Sequence, residues 1–136
     1  MIKIEKPWGN YISLYEGDLP YDKIQIKTLT VLSGQRLSLQ SHKHRKEYWL
    51  VVSGNPTIEV EQSERDYFIG DLIKILPNQR HRLSNQYTDP VVVVEVQTGP
   101  YLGEDDIIRY EDDYNRDDVE EMQNIIRQTK EQSGEE

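Results

Sequence analysis

Gln40-Ser41-His42-Lys43-His44-Arg45-Lys46-Glu47-Tyr48-Trp49, residues 40–49, gathers two of the chain's three histidines with a glutamine and a glutamate. Side chains two apart on a strand share a face, so Gln40 and His42 project together. Lys43-His44-Arg45-Lys46 then forms a basic turn, and Glu47 opens the next apolar run. The third histidine, His81, lies in a second polar patch. Imidazole, carboxylate and amide oxygen make a mixed N/O donor set suited to a divalent metal. A single histidine is more often a surface or core residue, but three in such contexts point to a metal site.

The flanking sequence supplies strands. Arg36 to His42 alternates, with Leu37 and Leu39 on one face and Ser38, Gln40 and His42 on the other. A polar face on an interior strand of a small barrel lines a wet pocket. Glu47 to Val52 is the next strand, ended by Ser53-Gly54. Upstream, Tyr11 to Tyr15 reads as a short edge strand, and Ile24 to Val31 as a half-buried one. Downstream, Thr57 to Val60, Asp66 to Ile69, Leu72 to Leu76 and His81 to Asn85 are short strands between turn signals. Val91 to Gln97 is a continuous apolar run typical of a strand covered on both faces. Eight or nine short strands, with no helical pattern before residue 103, indicate an all-β barrel or sandwich.

The chain has 136 residues, the size of one domain. It has no cysteine, which excludes disulfides, thiolate metal sites and cysteine nucleophiles. No apolar run approaches a membrane span, and the first residues lack a signal-peptide core, so a cytoplasmic protein is expected. The net charge of −9 comes from the C-terminal end: residues 1–103 hold 12 acidic and 12 basic side chains, and residues 104–136 hold 13 and 4. That balance argues against nucleic acid and anionic membranes as partners. Beyond residue 115, Asn115 fits a helix cap, Asp117 and Asp118 suit the first turn, and Val119, Met122, Ile125 and Ile126 share one helical face. The expected division is a barrel over 1–114 and an amphipathic helix, 116–130, with an acidic tail over 115–136.

Gly34, Gln40, His42, Glu47 and Gly54 follow the spacing of the first cupin motif, and Gly70, Pro77, His81 and Asn85 resemble the second. The resemblance implies a double-stranded β-helix (jelly-roll) barrel. A narrower likeness lies in Lys6-Pro7-Trp8-Gly9, in Gly34 to His42, in His44 to Trp49 and in Val51-Val52-Ser53-Gly54. It continues through His81-Arg82-Leu83, Glu95-Val96-Gln97-Thr98-Gly99 and Tyr101 to Ile107. These blocks resemble, in order, the cupin domain of type II mannose-6-phosphate isomerases, a domain often fused behind a mannose-1-phosphate guanylyltransferase. No segment of these residues is expected to form the nucleotidyltransferase domain, and the Pro77–His81 loop is one residue shorter than the usual cupin spacing. The chain also carries Tyr48 where the family usually has His.

The resemblance implies metal-dependent interconversion of mannose 6-phosphate and fructose 6-phosphate. The implied ligands are Gln40, His42, Glu47 and His81; a competing set replaces Gln40 with His44. Zn²⁺ is the first expectation, with Mn, Co, Ni or Fe as alternatives. His44 suits proton transfer because imidazole titrates near neutral pH; Tyr48 and Lys43 are the other candidates. Arg45 and Arg82 are the first candidates for the phosphate, Arg36 and Lys43 the second. Expected partners are a small phosphorylated sugar, a second copy of the chain in a homodimer, and a separate guanylyltransferase. Two rival readings remain at this level. One is a non-catalytic sugar-phosphate or nucleotide-sugar binding module, which Tyr48 keeps in view. The other is a metal cupin enzyme of another class, since the same donors suit ferrous iron.

Overall fold

The computed structural model describes residues 1–114; the helix expected over 116–130 and the acidic tail lie outside the described residues. Within the described residues, eleven strands form two antiparallel sheets. The first sheet has the order β1 (Lys3–Lys6), β2 (Gly9–Asp18), β3 (Lys23–Val31), β10 (Val91–Gly99), β5 (Lys46–Ser53), β8 (Leu72–Ile75). The second runs β11 (Ile108–Glu111), β4 (Leu39–Ser41), β9 (His81–Ser84), β6 (Thr57–Val60), β7 (Ser63–Asp66).

Register explains how one barrel holds both a dry core and a polar cavity. The inward faces of β3, β10 and β5 form rungs across the sheet. Leu29, Val93 and Val51 make an apolar rung. The next joins Lys27, Glu95, Trp49 and Ile73, and the one after it Gln25, Gln97, Glu47 and Ile75. Leu29, Val31, Val51, Val91 and Val93 pack with Trp8, Ile58 and Leu83 into one core. Each such aliphatic side chain contributes about 1.5–3 kcal/mol on burial. That apolar end offsets the cost of burying Gln25, Lys27, Glu47, Glu95 and Gln97 in the same barrel.

Four elements differ from the sequence expectation. The Tyr11–Tyr15 segment belongs to a ten-residue strand, β2, and β1 takes the edge instead. The strand read from Arg36 to His42 shortens to Leu39–Ser41, with Arg36 in a single bridge to Ser84. The strand placed at Asp66–Ile69 lies earlier, at Ser63–Asp66, because Glu61 and Gln62 adopt positive φ and turn the chain tightly. In β10, the outer-face residues Val92, Val94 and Val96 remain half-buried, whereas the inner face is fully buried.

Gly54 ends β5 at a φ of +74°, and a side chain there would strike the Pro90 carbonyl. Gly99 lets β10 pass directly beneath the backbone of His44 and Arg45, where a Cβ would collide with the His44 carbonyl. The basic turn therefore rests on β10 and directs Arg45 inward.

Candidate metal centre

His42 leaves the end of β4, Glu47 lies on the inner face of β5, and His81 opens β9. Register brings them together: Gln40 pairs with His81 across β4 and β9. One donor atom from each of His42, Glu47 and His81 lies within 4.8 Å of the others, and all three side chains are buried. His42 Nε2 is 3.1 Å and His81 Nε2 3.9 Å from Glu47 Oε1.

The far nitrogen of each ring is already committed. His42 Nδ1 lies 2.6 Å from the Asp106 carbonyl and His81 Nδ1 2.9 Å from the Gln79 carbonyl. A carbonyl only accepts, so Nδ1 carries the proton in both rings. The guanidinium of Arg45, which only donates, lies 3.1 Å from His42 Nε2, so that nitrogen presents a lone pair. Carbonyl-anchored imidazoles with Nε2 facing a carboxylate are the usual arrangement of metal-ligating histidines.

Electrostatics agree with this assignment. Burial lowers the His81 pKa, which keeps the ring neutral. Burial also disfavours the Glu47 carboxylate, yet its pKa is held well below the ordinary range, with the Arg45 guanidinium as the permanent cation beside it. Glu47 Oε2 is buried without a hydrogen-bond partner. A divalent cation would use that orphaned oxygen, so the donor set fits one. Gln40 lines the same cavity and donates its amide nitrogen to Ser38 Oγ at 3.2 Å, leaving its oxygen as the end suited to a cation.

Arg45 is buried, with Nε and Nη2 on Glu47 Oε1 at 3.3 and 3.2 Å. It acts here as the counter-ion of Glu47. The other sequence candidates lie outside the cavity. His44 has a side chain 53% exposed, with Nδ1 3.4 Å from Asp106 Oδ1. Lys43 is exposed, and its backbone N–H donates to Asp106. Tyr48 alternates with Glu47 and so faces the outer side of the sheet, beneath Lys74. Arg36 pairs with Asp113, and Arg82 is tied to Glu111 and the Leu37 carbonyl. Neither arginine lines the cavity.

Several cavity residues were missed by the sequence reading. Lys27 sits on a strand read as half-buried, Glu95 and Gln97 on one read as continuously apolar, and their two-residue spacing with Leu29, Val31, Val91 and Val93 was the available signal. Trp49 Nε1 and Gln97 Nε2 donate to the two Glu95 oxygens at 3.0 and 2.5 Å. Burial, then the adjacent Glu47 charge, pushes the Glu95 carboxyl up to about 8. The acidic run 104–106 also gains a role. Asp106 accepts from the Lys43 and His44 backbone amides and holds the turn that carries His42. Glu104 accepts from Lys27 at 2.7 Å.

A family model described as mannose-6-phosphate isomerase C-terminal matches residues 1–112. The chain is 43% identical over 122 residues to xanthan biosynthesis protein XanB of Xanthomonas campestris pv. campestris, covering 84% of this chain and 24% of that protein. It is 36% identical over 114 residues to the mannose-1-phosphate guanylyltransferase ManC of Salmonella typhimurium, covering 84% and 23%. The chain thus spans about a quarter of the length of these curated relatives. The Cnp3 cupin domain of Schizosaccharomyces pombe superposes with a TM-score of 0.58 at 11% identity, over 66% of this chain and 64% of that one. That likeness concerns the fold alone, and it agrees with the cupin barrel expected from the two glycine-bounded motifs.

Proposed function

The chain belongs to the mannose-6-phosphate isomerase C-terminal family, and on that premise we propose that it is a metal-dependent aldose–ketose isomerase interconverting mannose 6-phosphate and fructose 6-phosphate. The observation that carries the proposal is the buried His42–Glu47–His81 cluster, with both Nδ1 atoms anchored and both Nε2 atoms turned to one carboxylate. Gln40 offers a fourth donor, its amide oxygen. A divalent ion held by these residues would supply Lewis-acid stabilisation of the negative charge that develops on the sugar oxygens.

The chain's own residues do the rest. Moving a proton between adjacent carbons needs a carrier whose pKa lies near the working pH. Glu95 faces the cavity, and burial and the Glu47 charge raise its carboxyl to about 8 before a cation binds, leaving it room to fall towards neutrality once one does; His44 faces the turn outside. Trp49 and Gln97 fix both Glu95 oxygens, so the carboxyl is oriented before substrate arrives. Arg45, a permanent cation in contact with Glu47, keeps that carboxylate ionised. The exchange of the family's His for Tyr48 falls on the outer face, so it leaves this donor set intact.

The test is Glu47→Gln, which keeps the side chain's shape and removes its charge. The expected result is joint loss of bound metal and of fructose 6-phosphate formation, with thermal unfolding still cooperative. A variant that turns over at the wild-type rate without metal refutes the proposal.

A further inference from the structure

Lys6 and Lys27 line the cavity, and the mechanism above uses neither. Their ammonium groups lie 5.9 and 4.5 Å from the centroid of one ring, Tyr11, which draws two like charges into one neighbourhood. Lys27 is the unusual member, with a side chain only 5% exposed. A buried ammonium is costly unless it is paired, and Lys27 pairs with Glu104, whose side chain is 68% exposed. An interior cation is therefore satisfied by a carboxylate reaching in from the rim. The cavity lining as a whole carries Lys6, Lys27, Arg45 and Arg109 against Glu47, Glu95 and Glu104. Of these, Arg45 and Glu47 are committed to each other.

We propose that Lys6 and Lys27, over Tyr11, form the seat for the phosphate dianion of the substrate, with Glu104 as an internal stand-in that the phosphate displaces from Lys27. The assignment rests on the sugar-phosphate reading above and moves the phosphate away from Arg36 and Arg82. It also gives the Glu104 carboxylate a use: it pairs with Lys27 and orients it, and its exposure leaves it room to swing away.

The two tryptophans of the chain, Trp8 and Trp49, both line this cavity, so intrinsic fluorescence reports on it directly. The experiment titrates the protein with inorganic phosphate at constant ionic strength and compares Lys6→Gln, Lys27→Met, Glu104→Gln and Lys74→Gln. The expected result is a Kd raised about tenfold or more by Lys6→Gln and by Lys27→Met, in keeping with loss of a charge-assisted contact. Glu104→Gln, by removing the competing carboxylate, should lower the Kd several-fold, and Lys74→Gln, on the outer sheet face, should leave it unchanged. Lys6 is only half-buried, so its variant decides the matter even if Lys27→Met fails to fold. An unchanged phosphate Kd in folded Lys6→Gln, or a raised one in Glu104→Gln, overturns the seat. Phosphate binding that depends on both lysines, in a protein without turnover of mannose 6-phosphate, refutes the isomerase reading and leaves the seat standing.

Discussion

Replacing Glu95 with glutamine should flatten the pH dependence of stability across neutrality. Burial and the Glu47 charge raise the Glu95 pKa from an ordinary 4.5 to about 8. Between those values the native chain holds a proton at Glu95 that the unfolded chain has released. Stability therefore falls as pH rises through this window, by about 1.4 kcal/mol per pH unit for one proton. His81 works in the opposite direction: its pKa is lowered from 6.5, so its contribution is confined to pH values below about 6.5. The interval from pH 6.5 to 8 isolates Glu95, and the loss across it is about 2 kcal/mol. With an m-value of about 2 kcal/mol per molar urea, the unfolding midpoint moves by about 1 M. The assay is urea unfolding followed by tryptophan fluorescence at several pH values in that interval. A chelator is present because a cation on Glu47 would draw the Glu95 pKa down. In Glu95→Gln the midpoint should hold nearly constant. Gln97 Oε1 is buried without a partner, so a flip of the Gln97 amide accommodates the introduced NH₂ group. A slope in the variant equal to that of the wild type would show that Glu95 is not the group titrating.

Asp106→Ala should loosen the turn that presents His42, because it removes the acceptor for the Lys43 and His44 amides. A loss of about 10- to 100-fold in metal affinity is expected, the range for support of a ligand, and competition with a coloured chelator measures it. Tyr48→Phe should leave kcat within about twofold, since the hydroxyl points away from the cavity and a lost proton-transfer group costs 10²-fold or more. A drop of that size would restore Tyr48 to the site.

Strand alternation puts Gln40 and His42 on one face, and the resemblance to the two cupin motifs added Glu47 and His81. The structure gathers His42, Glu47 and His81 in one buried cluster, with His81 brought in by the pairing of β9 with β4. The polar interior was harder to read, and the reason lies in β10. Val91-Val92-Val93-Val94 looks uniformly apolar, so the inward turn of Glu95 and Gln97 is hidden unless the alternation of β3 is laid against it in register. Long-range pairing, which sequence does not display, places Lys27 beside Glu95. The position of Arg36 and Arg82 outside the cavity was hidden for the same kind of reason. Their partners, Asp113 and Glu111, lie 77 and 29 residues further along. Tyr48 was misplaced although its position next to Glu47 on a strand already assigned it to the other face.

The central claim is that a metal bound by His42, Glu47 and His81 supports isomerisation. The most direct measurement is a coupled assay of fructose 6-phosphate formation from mannose 6-phosphate on protein of known metal content. The assay is repeated after chelation and again after refilling with Zn²⁺, Mn²⁺ or Co²⁺. Activity that disappears with the chelator and returns with one ion is the expected result. Undiminished turnover after complete removal of metal, or none with any ion, would contradict it.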